Sequence, residues 1–321
     1  MPTRRLAVAG MISSAFVPRF ARAQAWPSRP VILVHGFGAG GNADSISRVM
    51  ANALSEELGQ QVVVEAKPGA GGNLASEQVA RSQPDGHTII LLTGGHAVSA
   101  ALYRNLRFNP VDDFAFASLV ATFPFIVAAR AESPLKTIGD VIEAARKDPG
   151  KLTFSSVGFG STQHLTGELF AGTAGIKLTH VPYRGGMQPL ADLISGRIDL
   201  VVDTITVTGA AIRSGTIRGL GVTSPEPWPA LAEVPPVAAT LPGFQVPSWI
   251  GIAAPAGTPP AVVERLNAAI AKALQVEKVR EQLGFLGVKP QATSPDGMRA
   301  FVAAEIQRWK GVVETARLER I

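Results

Sequence analysis

The residues best placed to do chemistry stand in one run, Gly36-Phe37-Gly38-Ala39-Gly40-Gly41, with Asp44 three residues further on. Three chemistries can use such a run. Its G-x-G-x-x-G spacing, after an apolar strand and before a helix, with Glu65 ending the next strand, matches a dinucleotide-binding fingerprint. Against that reading, Asp44 falls in the first helical turn, where it opposes a pyrophosphate. The stretch Val34-His35-Gly36-Phe37-Gly38 also looks like the oxyanion loop of an α/β-hydrolase. That chemistry needs a Gly-x-Ser-x-Gly elbow to expose its serine, and the chain has none; Ser155-Ser156-Val157-Gly158 lacks the leading glycine. A triad of Ser161, His164 and Asp203 can be drawn, but Ser161 and His164, three apart at a helix start, read more naturally as a cap and a packed histidine.

The third chemistry is anion binding without reaction. Backbone N–H groups at a helix N-terminus carry a partial positive charge and hold a carboxylate with no side-chain cation. Ser155-Ser156-Val157-Gly158-Phe159-Gly160-Ser161-Thr162 is a second loop of this kind, and Gly69-Ala70-Gly71-Gly72 a third. Glycine and serine loops from two lobes could clamp a small acid between them.

The elements that would position these loops follow from the periodicity. Val31–Val34, Gln61–Glu65 and Thr88–Leu92 read as strands, alternating with helices over Asp44–Leu58 and Asn73–Ser82. A second block has strands at Phe125–Ala129, Leu152–Ser155, Leu178–Val181, Leu200–Val202 and Ile217–Val222, and helices at Ile138–Lys147, Gln163–Thr173 and Pro189–Ser195. Segment 224–247 is proline-rich and irregular, and Pro259–Gln275 and Pro295–Thr315 read as two long closing helices. Such alternation predicts an α/β fold of parallel βαβ units. The apolar stretches Phe123–Ala129 and Ser248–Ala254 are expected to cross between two lobes as adjacent strands and form a hinge. Trp309 is expected to pack between lobe surfaces.

Composition removes other functions. The 321 residues suffice for two domains. Four of the 30 Lys+Arg (Arg4, Arg5, Arg19, Arg22) lie in the first 25 residues, which hold no acid; the other 26 face 25 acidic residues. No basic stripe remains for nucleic acid. The absence of cysteine excludes disulfides, thiolate metal sites and a lipid anchor. Arg4-Arg5, the apolar run Leu6–Val17 and Ala21–Ala25 read as an export signal removed near residues 23–25. A soluble periplasmic product is expected.

Several motifs then converge on one family. Trp26-Pro27-Ser28-Arg29-Pro30-Val31, Ala39–Asp44, Leu58–Glu65, Pro68–Gly72, Pro84-Asp85-Gly86-His87-Thr88, Asp112-Asp113-Phe114, Gly158-Phe159-Gly160-Ser161 with His164-Leu165, His180–Gly185 and Ala253–Pro259 resemble, in order, the signatures of the Bug family. These are the substrate-binding proteins of tripartite tricarboxylate transporters. The resemblance implies a two-lobed type II periplasmic binding protein, each lobe a mainly parallel sheet flanked by helices, joined by two hinge strands. It implies lobe 1 at 26–124 and 249–321 and lobe 2 at 125–248. It implies no catalysis and no cofactor or metal, a monomer, a small carboxylate ligand, and a membrane permease as partner. The exported NAD-dependent oxidoreductase stays as the alternative.

Carried onto this chain, the ligand-binding candidates are Phe37, Ala39, Gly40, Gly41 and Asp44 from the first loop, and Thr93 and His96 after the third strand. Ser156, Gly158, Gly160, Ser161 and Thr162 come from the second loop, with Tyr183 as a cleft wall and Asp203 facing the cleft. Asp44 reads more readily as a helix-start residue that orders its own loop and His164 as packing, and Arg184 reads at least as well as solvated.

Overall fold

The structure is a computed structural model that describes residues 26–315 and 318–320. The expected export signal lies outside them. The strands are β1 (Val31–His35), β2 (Val62–Ala66), β3 (Thr88–Thr93), β4 (Phe114–Arg130), β5 (Thr153–Ser156), β6 (Thr179–Pro182), β7 (Leu200–Thr204), β8 (Ile217–Val222), β9 (Pro247–Pro255) and β10 (Lys289–Pro290). The helices are α1 (Asn42–Leu58), α2 (Asn73–Ala80), α3 (Gly94–Leu102), α4 (Ile138–Lys147), α5 (Thr162–Ala174), α6 (Gln188–Ile194), α7 (Ile205–Arg213), α8 (Pro260–Ala273), α9 (Glu277–Phe285) and α10 (Pro295–Thr315).

Each expected element is present. Three helices are additional. α3 begins on Gly94-Gly95 and α7 on Ile205-Thr206-Val207-Thr208, sequences of poor intrinsic helix propensity that tertiary packing overrides. The proline-bounded C-terminal region holds α9 between the two helices read there.

The sheet runs β2-β1-β3-β9-β4-β7-β5-β6, with β8 and β10 also paired to β4. It divides into two halves. In one, β1 pairs in parallel with β2 and β3, and α1 and α2 supply the crossovers. In the other, β5 pairs in parallel with β6 and β7 through α5 and α6. Between them the ladders are antiparallel, because β4 and β9 are the chain's passages from one half to the other.

β4 begins further upstream than the alternation suggested, and its 17 residues serve both halves. Its first part, Phe114–Pro124, pairs with β9; from Phe125 onward it pairs with β7 and β8. Register shifts at Phe116/Ser118, Leu119/Ala121 and Val127/Ala128 bend it between two differently oriented half-sheets. At the crossing, Pro124 faces Pro247. Neither has an N–H, so the ladder loses its donors where the halves meet. The neighbouring Phe125 N–H is instead held by Thr223 Oγ1 at 2.8 Å, and Val246 N–H by Thr223 O at 2.9 Å.

Trp309 is fully buried on α10, which packs against α3, α8 and β4. This places it in the core of the first half rather than between two surfaces. Its Nε1 has no hydrogen-bond partner among the described residues, so its contribution is packing. Trp309→Ala is expected to cost about 3–5 kcal/mol, read as a lowered urea midpoint at unchanged denaturant slope.

Candidate functional site

At their carboxyl ends β3 and β7 run directly into α3 and α7, while β1 and β5 reach α1 and α5 through the glycine loops 36–41 and 157–161. All four helix N-termini open onto one cavity of about 40 Å³ between the halves. Its walls are Gly41, Asn42 and Ala43 of α1, Thr93 before α3, Thr162 and Gln163 of α5, and Thr204 and Val207 at α7. Phe37, Val157, Gly185 and Gly186 come from loops, and Phe123, Phe125 and Ser248 from the crossing strands. Ser161 caps α5 by accepting from His164 N–H at 3.2 Å, and Thr93 caps α3 by accepting from Gly95 N–H at 3.3 Å. The N-cap residues of α1 and α7, Gly41 and Thr204, make no such bond. The first turns of one helix from each half thus have no side-chain cap, and both helix starts line the cavity, whose walls hold no lysine or arginine.

Asp203 is the cavity's one acid among the described residues, and is 2% exposed. Its Oδ1 accepts from Thr204 N–H at 2.7 Å. Burial pushes its carboxyl up to about 6, against the opposing bonds from Thr204 and Gln163.

The halves touch through glycine. Gly38 N–H donates to Arg184 O at 3.0 Å. A Cβ on Gly41 would sit 3.2 Å from Gly186 N, one on Gly186 2.7 Å from Ala39 O, and one on Gly71 2.7 Å from Phe159 O. The first loop therefore closes on 184–186, and the Gly69–Gly72 turn closes on the 156–161 loop. The first loop and the 156–162 loop meet across the cavity, which Phe37 and Gly41 share with Val157 and Thr162, rather than through direct backbone contact.

Of the sequence candidates, Phe37, Gly41, Thr93, Thr162 and Asp203 line the cavity. The others do not, each for a visible reason. Ala39 and Gly40 lie on the exposed outer side of the loop, and Gly40 N–H is taken by Asp44 Oδ2 at 2.9 Å. Asp44 also binds Arg48 at 3.0 and 3.1 Å and faces His35 Nε2 at 3.3 Å. Burial raises its carboxyl, but the Arg48 and Gly40 bonds and the charges of Arg48 and His35 outweigh it, and the net shift is downward. Asp44 orders the loop, as its alternative reading had it. His96 is packed between Phe108 and Phe114 with Nε2 2.8 Å from Pro110 O. Ser156, Gly158, Gly160 and Ser161 satisfy one another and two histidines: Ser156 Oγ lies 2.6 Å from His180 Nε2, and Gly160 N–H reaches His164 Nδ1 at 3.4 Å. Tyr183 donates to Asp192 Oδ2 at 2.8 Å and, with Gly158, lines a separate groove between the halves that Gly36, Gly71 and Tyr103 wall from the other side.

Sequence reasoning missed Gly185-Gly186, which a search for glycine pairs after strands could have found, and Thr204 and Val207, hidden with the start of α7. It also missed Gln163 and Ser248, which have no local signature. The drawn triad is not assembled. Ser161 Oγ accepts from the His164 backbone and donates to Gly158 O, while Asp203 engages Thr204. Glu65, the acid that the dinucleotide fingerprint called on, is paired with Lys67 at 2.6 Å and does not line the cavity.

The model of the tripartite tricarboxylate transporter family receptor matches residues 46–318. The chain belongs to this family. It is 41% identical to the UPF0065 protein in the tcbD-tcbE intergenic region of Pseudomonas sp. (strain P51), covering 98% of this chain and 95% of the relative. R. palustris Rpa4515, solved with adipate, superposes with a TM-score of 0.87 at 37% identity, over 91% of this chain and 98% of that one. MatC (Rpa3494) from Rhodopseudomonas palustris, solved with bound malate, gives 0.86 at 33%, over 90% and 100%. The family is one of carboxylate-binding receptors of the periplasmic binding protein type, not of enzymes. Among the described residues no helix is long and apolar enough to cross a membrane.

Because the folded-state value of Asp203 lies above its ordinary 3.8, the folded protein holds a proton that the unfolded chain gives up. Stability from this group is full below about 3.8 and is lost as pH rises through about 6. Asp203→Asn is expected to raise stability at pH 7.5 by up to about 3 kcal/mol and hardly at all at pH 4. Melting curves at the two pH values check this; an equal gain at both would show that the charge is not the cause.

Proposed function

We propose that this receptor captures a small dicarboxylate between its two halves and delivers it, unreacted, to the membrane permease of a tripartite transporter. The observation that carries the reading is the convergence of uncapped α1 and α7 on a cavity with no side-chain cation. One ligand carboxylate accepts from amides at the starts of these two helices, so a single group bridges the halves. Asp203 reads the remainder of the molecule: ionised it accepts from a ligand hydroxyl, and protonated it donates to a second carboxylate. The malate and adipate of the two Rhodopseudomonas relatives fit this division of labour.

Lobe 1 is assigned to 26–124 and 249–321 and lobe 2 to 125–248, with Pro124 and Pro247 at the hinge. Ligand binds the closed arrangement better than the open one and shifts the equilibrium by that difference. The assignment includes export to the periplasm with loss of the first 25 residues, and action as a monomer. The binding residues are those that line the cavity.

Dicarboxylates are expected to raise the melting temperature and to be recovered unchanged; no shift with any of them would refute the reading. Gly186→Ala places a Cβ against Ala39 O and strains a φ of +78°. It is expected to weaken binding at least about tenfold in calorimetry, by obstructing closure, with only a small change in ligand-free melting.

A further inference from the structure

Behind the ring of Phe37 lies a second, smaller void of about 10 Å³. It shares Phe37 and Thr93 with the main cavity and continues to Asn73, Ser76 and His96. The ring fits there because the backbone facing it carries no side chains. A Cβ on Gly72 would lie 3.3 Å from the ring Cζ, and one on Gly95 3.9 Å from it. Phe37 is thus the wall between the two spaces.

The far end of the small void is polar. His96 Nε2 lies 2.8 Å from the Pro110 carbonyl and must carry the proton, so Nδ1 accepts from Ser76 Oγ, 3.3 Å away. Burial lowers this imidazole to about 4 and keeps it neutral. That pair is satisfied. Asn73 Nδ2 is not: it is buried with no hydrogen-bond partner among the described residues. A buried donor left unmade is costly, and an acceptor oxygen arriving there relieves the cost.

We propose that Phe37 sets the length of acid this receptor accepts, and that the void behind it is a latent distal subsite. There Asn73 Nδ2 would receive the far carboxylate oxygen of a longer α,ω-dicarboxylate. The inference rests on the carboxylate-receptor reading. With the ring in place the ligand is confined to the main cavity. With the ring removed, its methylene chain follows the path the ring vacates, past the glycine backbone of Gly72 and Gly95.

The test is calorimetry of the mature chain against α,ω-dicarboxylates of four to ten carbons. Wild type is expected to prefer the short members. Phe37→Ala, with Phe37→Leu as the milder variant should the first fold poorly, is expected to move the optimum to longer acids and to bind them at least about tenfold tighter than wild type does. Asn73→Ala added to either variant is expected to remove most of that gain. A length profile unchanged in a folded Phe37 variant overturns the partition. A gain that survives loss of Asn73 overturns the distal subsite. A wild-type protein that binds no member of the series overturns the carboxylate reading itself.

Discussion

An anion held without lysine or arginine has to be held by neutral donors, peptide N–H groups and side-chain hydroxyls and amides, and the reach of such dipoles is short. The favourable potential at a helix N-terminus falls off within about one turn. Dipoles from two halves of a protein can therefore act on one ligand only if backbone approaches backbone. This constraint accounts for the glycine at Gly38, Gly41, Gly71 and Gly186, where a single Cβ would fall within 2.7–3.2 Å of the opposing chain. The glycine loops are first of all what lets the backbones of the two halves approach each other.

The same constraint explains the treatment of polar side chains around the cavity. Asp44, Ser156 and Ser161 are bonded to their own loops, and so remove flexibility from backbone whose amides have to be pre-positioned. Asp203 is the exception. It is buried in the cavity wall with its charge disfavoured, at the carboxyl end of β7, where α/β sheets place ligands. On the proposed reading, a group so placed discriminates among acids more than it attracts them.

Much of the architecture was legible in one dimension. The alternation of Val31–Val34, Asp44–Leu58 and Val62–Val64 specifies parallel units, because a strand buried on both faces and an amphipathic helix leave distinct periodicities. Phe37, Gly41, Thr93, Thr162 and Asp203 were readable as cavity residues because each follows the end of a strand. The starts of α3 and α7 were not legible. Gly-Gly and a β-branched run have no helical preference of their own, and the packed tertiary environment supplies it.

By itself, then, the sequence determined the elements, the two passages between halves and the use of strand-end loops for an anion, since these depend on local patterns of apolar and glycine residues. Which loop meets which was decided by the tertiary structure: the first glycine loop closes on Gly185-Gly186, and the Gly71 turn on Phe159. That pairing depends on how the bent β4 and the donor-free Pro124/Pro247 crossing orient the two half-sheets. The relative orientation of two packed bodies is a sum over many distant contacts, and no short stretch of residues encodes it.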